Sequence, residues 1–116
     1  MNEKKGGKLI LAILQEDDYE ATVEELNHHQ IYVTKLSSTG GFLKRRNITV
    51  MIGVEESQLD TALSILKTCA GHRQSTAYAM PSSGSYYPGS GSAVPVPTVI
   101  GGATVFVLDV DTMAKF

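Results

Sequence analysis

Between Thr34 and Gly53 the chain reads TKLSSTGGFLKRRNITVMIG, and the residue types there suit the capture of an anion with a flat ring attached. Gly40 and Gly41 can take positive φ without a Cβ clash, so successive backbone N–H groups can converge on a phosphate. Phe42 and Leu43 follow at once and offer an apolar surface where folding alone gives them no evident task. Lys44, Arg45 and Arg46 add local positive charge. Asn47 carries both a donor and an acceptor, the mixed edge that adenine needs beside an apolar face. Thr34 before the turn and Gly53 after it contribute a hydroxyl and exposed backbone. Each of these residues also has a plainer reading: glycine pairs form ordinary hairpin turns, Thr is common in strands, Asn is a common hinge, and a strand Gly marks a bulge. Their convergence in one short stretch favours a ligand.

Other chemistry is poorly supplied. His28 and His29 are neighbours on a helical stretch and project about 100° apart, so they cannot share a metal as an i, i+4 pair could. His72 stands alone at the start of a loop. Asp17, Asp18, Glu20, Glu24 and Glu25 read as a solvated acidic face that favours the helix dipole. No nucleophile elbow, no carboxylate pair with a cleft and no phosphate-loop lysine motif occurs, so the chain is expected to be neither an enzyme nor a metal protein. Cys69 is the only cysteine. It excludes an intrachain disulfide and reads as packing on the apolar side of a helix.

A length of 116 residues with 42% hydrophobic content bounds the chain to one domain with a real core. A net charge of -2 argues against a general nucleic-acid binder. No apolar run approaches the roughly 20 residues of a membrane span, and the start MNEKKGGK lacks the apolar core of a signal peptide, so a cytoplasmic protein is expected.

The elements that must position the loop follow from periodicity. Residues Leu9 to Leu14 are uninterrupted aliphatics, the pattern of a strand buried on both faces. Asp17 with Glu20 resembles a capping box, and Tyr19, Val23 and Leu26 then recur at helical spacing to about His29. Ile31 to Leu36 and Ile48 to Val54 form an antiparallel pair around the glycine turn, with Thr34 late in the first of them. Ser57 and Asp60 open a second helix, whose stripe of Leu59, Ala62, Leu63, Leu66, Cys69 and Ala70 ends at Gly71. Ala103 to Val110 is the last strand. The order βαββαβ is the ferredoxin-like α+β sandwich, with two helices on one face of a four-stranded antiparallel sheet.

Residues 1–7 are expected to be a disordered tail, leaving 8–116 as a single domain with a long flexible loop at 71–102. That loop is rich in Ser, Gly and Pro, and Tyr86 and Tyr87 in it suit a lid over something flat. Its portion from Val94 to Thr98 alternates with Pro95 and Pro97 and is expected to be extended on a sheet edge. Because two helices cover one sheet face only, the other is expected to be covered by copies of the same chain in a homo-oligomer.

TKLSSTGGFL, Asn47, Gly53–Val54 and GGATVFVLDVD at 101–111 closely resemble the PII-like proteins that act as receptors for cyclic di-AMP. The resemblance covers residues 8–116. It implies a homotrimeric PII-like fold, with one cyclic di-AMP in each cleft between neighbouring subunits and flexible loops rearranging around it. It further implies a site made of Thr34, Gly41, Phe42, Leu43, Asn47, Gly53 and, from the last strand, Phe106. The chain departs from the family pattern at Tyr32, where an Arg is usual, at Arg46, where Gly is usual, and at Lys115, where Gln is usual. Loss of that Arg removes a charge-assisted hydrogen bond worth roughly 1.5 to 3 kcal/mol.

The expectation is therefore a non-enzymatic signal transduction protein whose regulatory ligand is cyclic di-AMP and which acts on an unidentified protein partner, with no cofactor, nucleic acid or membrane involved. One alternative is a trimeric interaction module that has lost cyclic di-AMP or binds another nucleotide. Another is a CutA-type metal-binding trimer, against which the scattered histidines speak.

Overall fold

The computed structural model describes residues 2–39, 46–79 and 93–116. In chain order these form β1 (Asn2–Gln15), a 3-10 turn (Glu16–Asp18), α1 (Tyr19–His28), β2 (Val33–Thr39), β3 (Asn47–Val54), a second 3-10 turn (Glu56–Gln58), α2 (Leu59–Ala70), β4 (Arg73–Ala79), β5 (Val94–Ile100) and β6 (Ala103–Lys115). The main sheet has the order β2-β3-β1-β6, and every pairing in it is antiparallel. This is the ferredoxin-like arrangement read from the sequence. No helix among the described residues is long and apolar enough to cross a membrane.

Alternation decides which side of the sheet is covered. Ile10, Ala12 and Leu14 of β1 are buried, and they lie in register with Ile52, Val50 and Ile48 of β3, which are buried too. Strand side chains alternate between faces, so these six share one layer. The helices close over it with Leu26 and Thr22 from α1 and Ala62, Ile65, Leu66 and Ala70 from α2. Each large aliphatic taken fully out of water here contributes about 1.5–3 kcal/mol. Thr22 is tolerated in this layer because its hydroxyl donates to the Asp18 carbonyl at 2.6 Å.

Both helices are entered through a 3-10 turn, which the sequence signals misplaced. The capping box lies at Glu55 and Gln58, where the Glu55 N–H donates to Gln58 Oε1 at 3.0 Å, rather than at Ser57 and Asp60. At α1 the N-cap is Asp18, with no side-chain cap. Its carboxylate instead meets the guanidinium of Arg73, Oδ1 to Nη2 at 2.5 Å, and Asp18 is buried. Asp18 therefore leaves the solvated acidic face to which the sequence assigned it. A distant cation, invisible to local periodicity, drew it inward.

Three further corrections concern extent. Residues 2–7, expected as a disordered tail, lie in β1 and pair with β6 from Asn2↔Lys115 to Gly7↔Val110. β6 accordingly runs to Lys115 instead of ending at Val110. Thr34 is the second residue of β2, not a late one, because the strand continues to Thr39 through a bulge between Lys35 and Ser37.

The expected 71–102 loop has structured ends. β4 and β5 make a separate two-stranded ribbon, paired without interruption from Arg73↔Ile100 to Ala79↔Val94. Pro95 and Pro97 sit at alternate positions of that ladder, so it can run through them only if their missing N–H groups face away from β4. At the ribbon's foot, Gly101 (φ +83) and Gly102 (φ +127) turn the chain into β6. Both need glycine. A Cβ on Gly101 would strike the Gly71 carbonyl oxygen and the Arg73 guanidinium, and one on Gly102 would stand 2.6 Å from His72 Nε2.

Candidate functional site

The face of the main sheet opposite the helices is built by the other parity of the same strands. Leu9, Leu11 and Ile13 of β1 point there, as do Asn47, Thr49, Met51 and Gly53 of β3. Among the described residues no helix or loop covers this face, so apolar side chains stay in contact with solvent: Phe106 is 53% exposed, Leu108 43% and Ile13 37%. The uninterrupted aliphatics of β1, which read as a strand buried on both sides, are covered on one side by the helices and half-covered on the other.

Register places the candidate ligand residues on this open face. Thr34 lies opposite Met51, Met51 opposite Leu11 and Leu11 opposite Phe106, so one rung crosses the whole sheet from Thr34 at one edge to Phe106 at the other. Three strand spacings of roughly 4.8 Å put its ends about 14 Å apart. Gly53 lies on the neighbouring rung, with Leu9 and Leu108. Asn47 opens β3 at the far end of the face, paired with Gln15 and Thr39. The structure thus brings Thr34 close to Gly53 and keeps both apart from Asn47 and Phe106 within one protomer. Gly41, Phe42 and Leu43 lie outside the described residues, as do Lys44 and Arg45.

Of the residues that depart from the family pattern, Tyr32 immediately precedes β2 and is 68% exposed. Arg46 is drawn toward Glu16, Nε to Oε2 at 3.9 Å. Lys115 pairs with Asn2 at the end of β6, seven residues beyond Leu108 and hence about 23 Å along the strand from the Gly53 rung.

A half-open cleft of about 930 Å³ lies at the Gly53 end of the sheet, lined by Gly7, Lys8, Leu9, Met51, Gly53, Gln58, Thr112 and Met113 among others. Its size is that of a small-molecule site. Among the described candidate ligand residues, Gly53 alone lines it. Beside it, Lys8 and its register partner Asp109 form an ion pair across β1 and β6. The Lys8 ammonium, by hydrogen bond and then by charge, holds the Asp109 carboxyl below its ordinary value, and Asp109 raises Lys8 in the same way.

The helix histidines have an acidic neighbour. His28 and His29 both approach Glu25, at 3.7 and 3.4 Å. Among the described residues no three His, Cys, Asp or Glu gather as a metal site would require. Burial, and secondarily the Glu25 carboxylate, pushes the Cys69 thiol up. Cys69 packs against the core from α2, as its place on the apolar stripe implied.

Sequence reasoning missed two contacts at the end of β1. Gln15 Nε2 donates to the Gly101 carbonyl at 2.9 Å, and Arg73 joins Asp18 to the foot of the ribbon, its Nη1 donating to the Gly71 carbonyl at 2.9 Å. Both span more than 50 residues of sequence, and no local pattern encodes such a pairing.

Two comparisons bear on this arrangement. Residues 7–116 match the family described as cyclic-di-AMP receptor. Among solved structures, the chain is similar to a functionally unknown protein from Pediococcus pentosaceus ATCC 25745, at 34% identity and a TM-score of 0.73, over 97% of this chain and 100% of that one.

Proposed function

Because this chain belongs to the PII-like cyclic-di-AMP receptor family, we propose that it is a non-enzymatic signal transduction protein that binds cyclic di-AMP in the clefts between the subunits of a homotrimer. Ligand binding changes the order of segments 37–47 and 71–102, and a protein partner reads the altered surface. The observation that carries this reading is the open sheet face. It is apolar at its centre, and its two edges hold Thr34 and Phe106, candidate ligand residues about 14 Å apart. An exposed sheet face of this kind calls for a neighbour. A neighbouring copy that met one edge with the other would draw Thr34 of one subunit toward Phe106 of the next, which a single protomer cannot do.

In this reading the wall of the cleft on one subunit is long, with Thr34 and Gly53 at one end and Asn47 about 20 Å along β3 at the other. Gly41, Phe42 and Leu43 join it, and Phe106 forms the opposite wall. Backbone amides take the phosphates, Asn47 takes the adenine edge, and the apolar residues take its face. The ligand changes segment order only to the extent that it binds one arrangement more tightly than the other.

Isothermal calorimetry with cyclic di-AMP, cyclic di-GMP and ATP, run beside sedimentation velocity, tests the proposal. Micromolar or tighter binding of cyclic di-AMP to a trimer, lost in Asn47→Ala, is the expected result. A trimer that gives no heat with any of the three nucleotides would favour the second reading, an interaction module that has lost its ligand. Exposed Tyr32 in the place of an arginine, and the remoteness of Lys115 from the Gly53 rung, support that second reading.

A further inference from the structure

The two segments that respond to ligand in the proposed mechanism are tied to one short stretch of backbone. At the 37–47 side, the Arg46 carbonyl accepts a hydrogen bond from the Glu16 N–H at 2.9 Å, and Asn47 is the register partner of Gln15. At the ribbon side, Gln15 Nε2 donates to the Gly101 carbonyl at 2.9 Å, and Asp18 holds Arg73 at the first residue of β4. Residues 15–18 therefore touch the end of one segment and both feet of the other.

The ribbon's foot has little slack. The Gly102 N–H donates to the Ala70 carbonyl at 2.8 Å, and the Arg73 guanidinium donates to the Gly71 carbonyl at 2.9 Å. Backbone and guanidinium approach Gly101 so closely that no Cβ fits. A displacement at Gly101 must be passed to its neighbours, because packed and hydrogen-bonded groups of this kind have no room to absorb it.

We propose that Gln15 is a positioning residue that couples the nucleotide site to the β4–β5 ribbon. The proposal rests on the reading that cyclic di-AMP engages Asn47. When ligand shifts Asn47, the paired Gln15 backbone moves with it, and the Gln15 amide carries the shift to the Gly101 carbonyl and so to the foot of β5. Asp18 and Arg73 hold the foot of β4, so the ribbon pivots at its base. Two sites linked through a shared element with two arrangements are coupled in free energy, and the coupling acts in both directions.

Hydrogen exchange at Gln74–Tyr78 and Val94–Ile100, with and without saturating cyclic di-AMP, reads this coupling directly. Saturation removes any change in affinity from the comparison. In the unaltered protein the ratio of exchange rates with and without ligand departs from one across the ribbon. In Gln15→Met, which keeps the side-chain length but has no donor, the ratio returns toward one, and Asp18→Asn reduces it in β4 more than in β5. A role confined to holding the fold together would raise exchange in both states and leave the ratio as it was. Gln15→Ala provides the same readout if the Met variant fails to fold. A ribbon response in the Gln15 variants equal to that of the unaltered protein would overturn the coupling alone. Absence of cyclic di-AMP binding by the unaltered protein would overturn the nucleotide reading and this proposal with it.

Discussion

Thr34 and Phe106 occupy the two ends of a single rung across the main sheet, joined through Met51 and Leu11 and facing the side the helices leave open. Within one protomer three strand spacings, about 14 Å, separate them. Across an interface that sets one edge of the sheet against the other edge of a neighbour, the same two side chains become adjacent.

That relationship predicts complementation. Thr34→Glu, which places a carboxylate where the ligand brings phosphate, and Phe106→Ala, which removes an apolar wall, each weaken cyclic di-AMP binding more than tenfold. Assemblies refolded from an equal mixture recover about a quarter of the sites at full affinity, since each head-to-tail interface draws its two halves independently. Calorimetric stoichiometry measures the recovered fraction. No recovery would mean that both residues serve one protomer's site.

The glycines at the ribbon's foot predict an ordered pair of stability losses. Gly101→Ala forces a Cβ against the Gly71 backbone at φ +83, whereas Gly102→Ala meets the tip of the His72 ring, which can swing aside. Strained backbone of this kind costs of order 1–3 kcal/mol. Gly101→Ala therefore loses more stability in urea unfolding than Gly102→Ala, and adding His72→Ala relieves only the steric part of the second. Equal losses would show that backbone dihedral strain alone governs both positions.

The Lys8–Asp109 pair predicts a defined pH response. Asp109 has a depressed carboxyl in the folded state, so its contribution is present at neutral pH and fades as pH falls through that depressed value. Lys8 is raised, so its contribution holds below its ordinary 10.5 and is lost as pH rises through the higher folded value. Carboxyl NMR titration of Lys8→Met should find the Asp109 midpoint returned upward toward 3.8. Added salt should move the midpoint in the unaltered protein the same way, because screening weakens an exposed pair. An Asp109 midpoint indifferent to Lys8 would contradict the cause assigned here.

The main sheet was legible because its strands carry their own signal. Leu9 to Leu14 and Ile48 to Val54 cannot be satisfied in water, and the stripe from Leu59 to Ala70 has only one apolar side, so the order βαββαβ follows from local pattern. The ribbon was legible only in part. The alternation of Val94, Val96 and Thr98 with Pro95 and Pro97 pointed to an extended sheet-edge segment, which is β5. Its partner β4 gave no signal: Gln74, Ser75 and Thr76 alternate with nothing buried, because these strands are held by backbone pairing with each other rather than by a core. The ends of β1 and β6 escaped for the same reason: Lys4 and Lys5 run alongside Met113 and Thr112 beyond the helices, where no apolar periodicity is needed. At the site, Thr34, Asn47 and Gly53 announced themselves by residue type. Phe106 came only through the family resemblance, and Gln15 looked like a polar residue closing a strand until its partner Gly101 was placed beside it.

Val94, Val96 and Val99 stand exposed on β5, a strand of the kind that invites other chains to add to it. Pro95 and Pro97 take two amide donors from the outer rim of that strand and leave the N–H of Val99 there, which weakens the template a fibril would extend. Replacing either proline would restore a donor beside those exposed valines, so its first consequence should be clouding of the protein in the test tube.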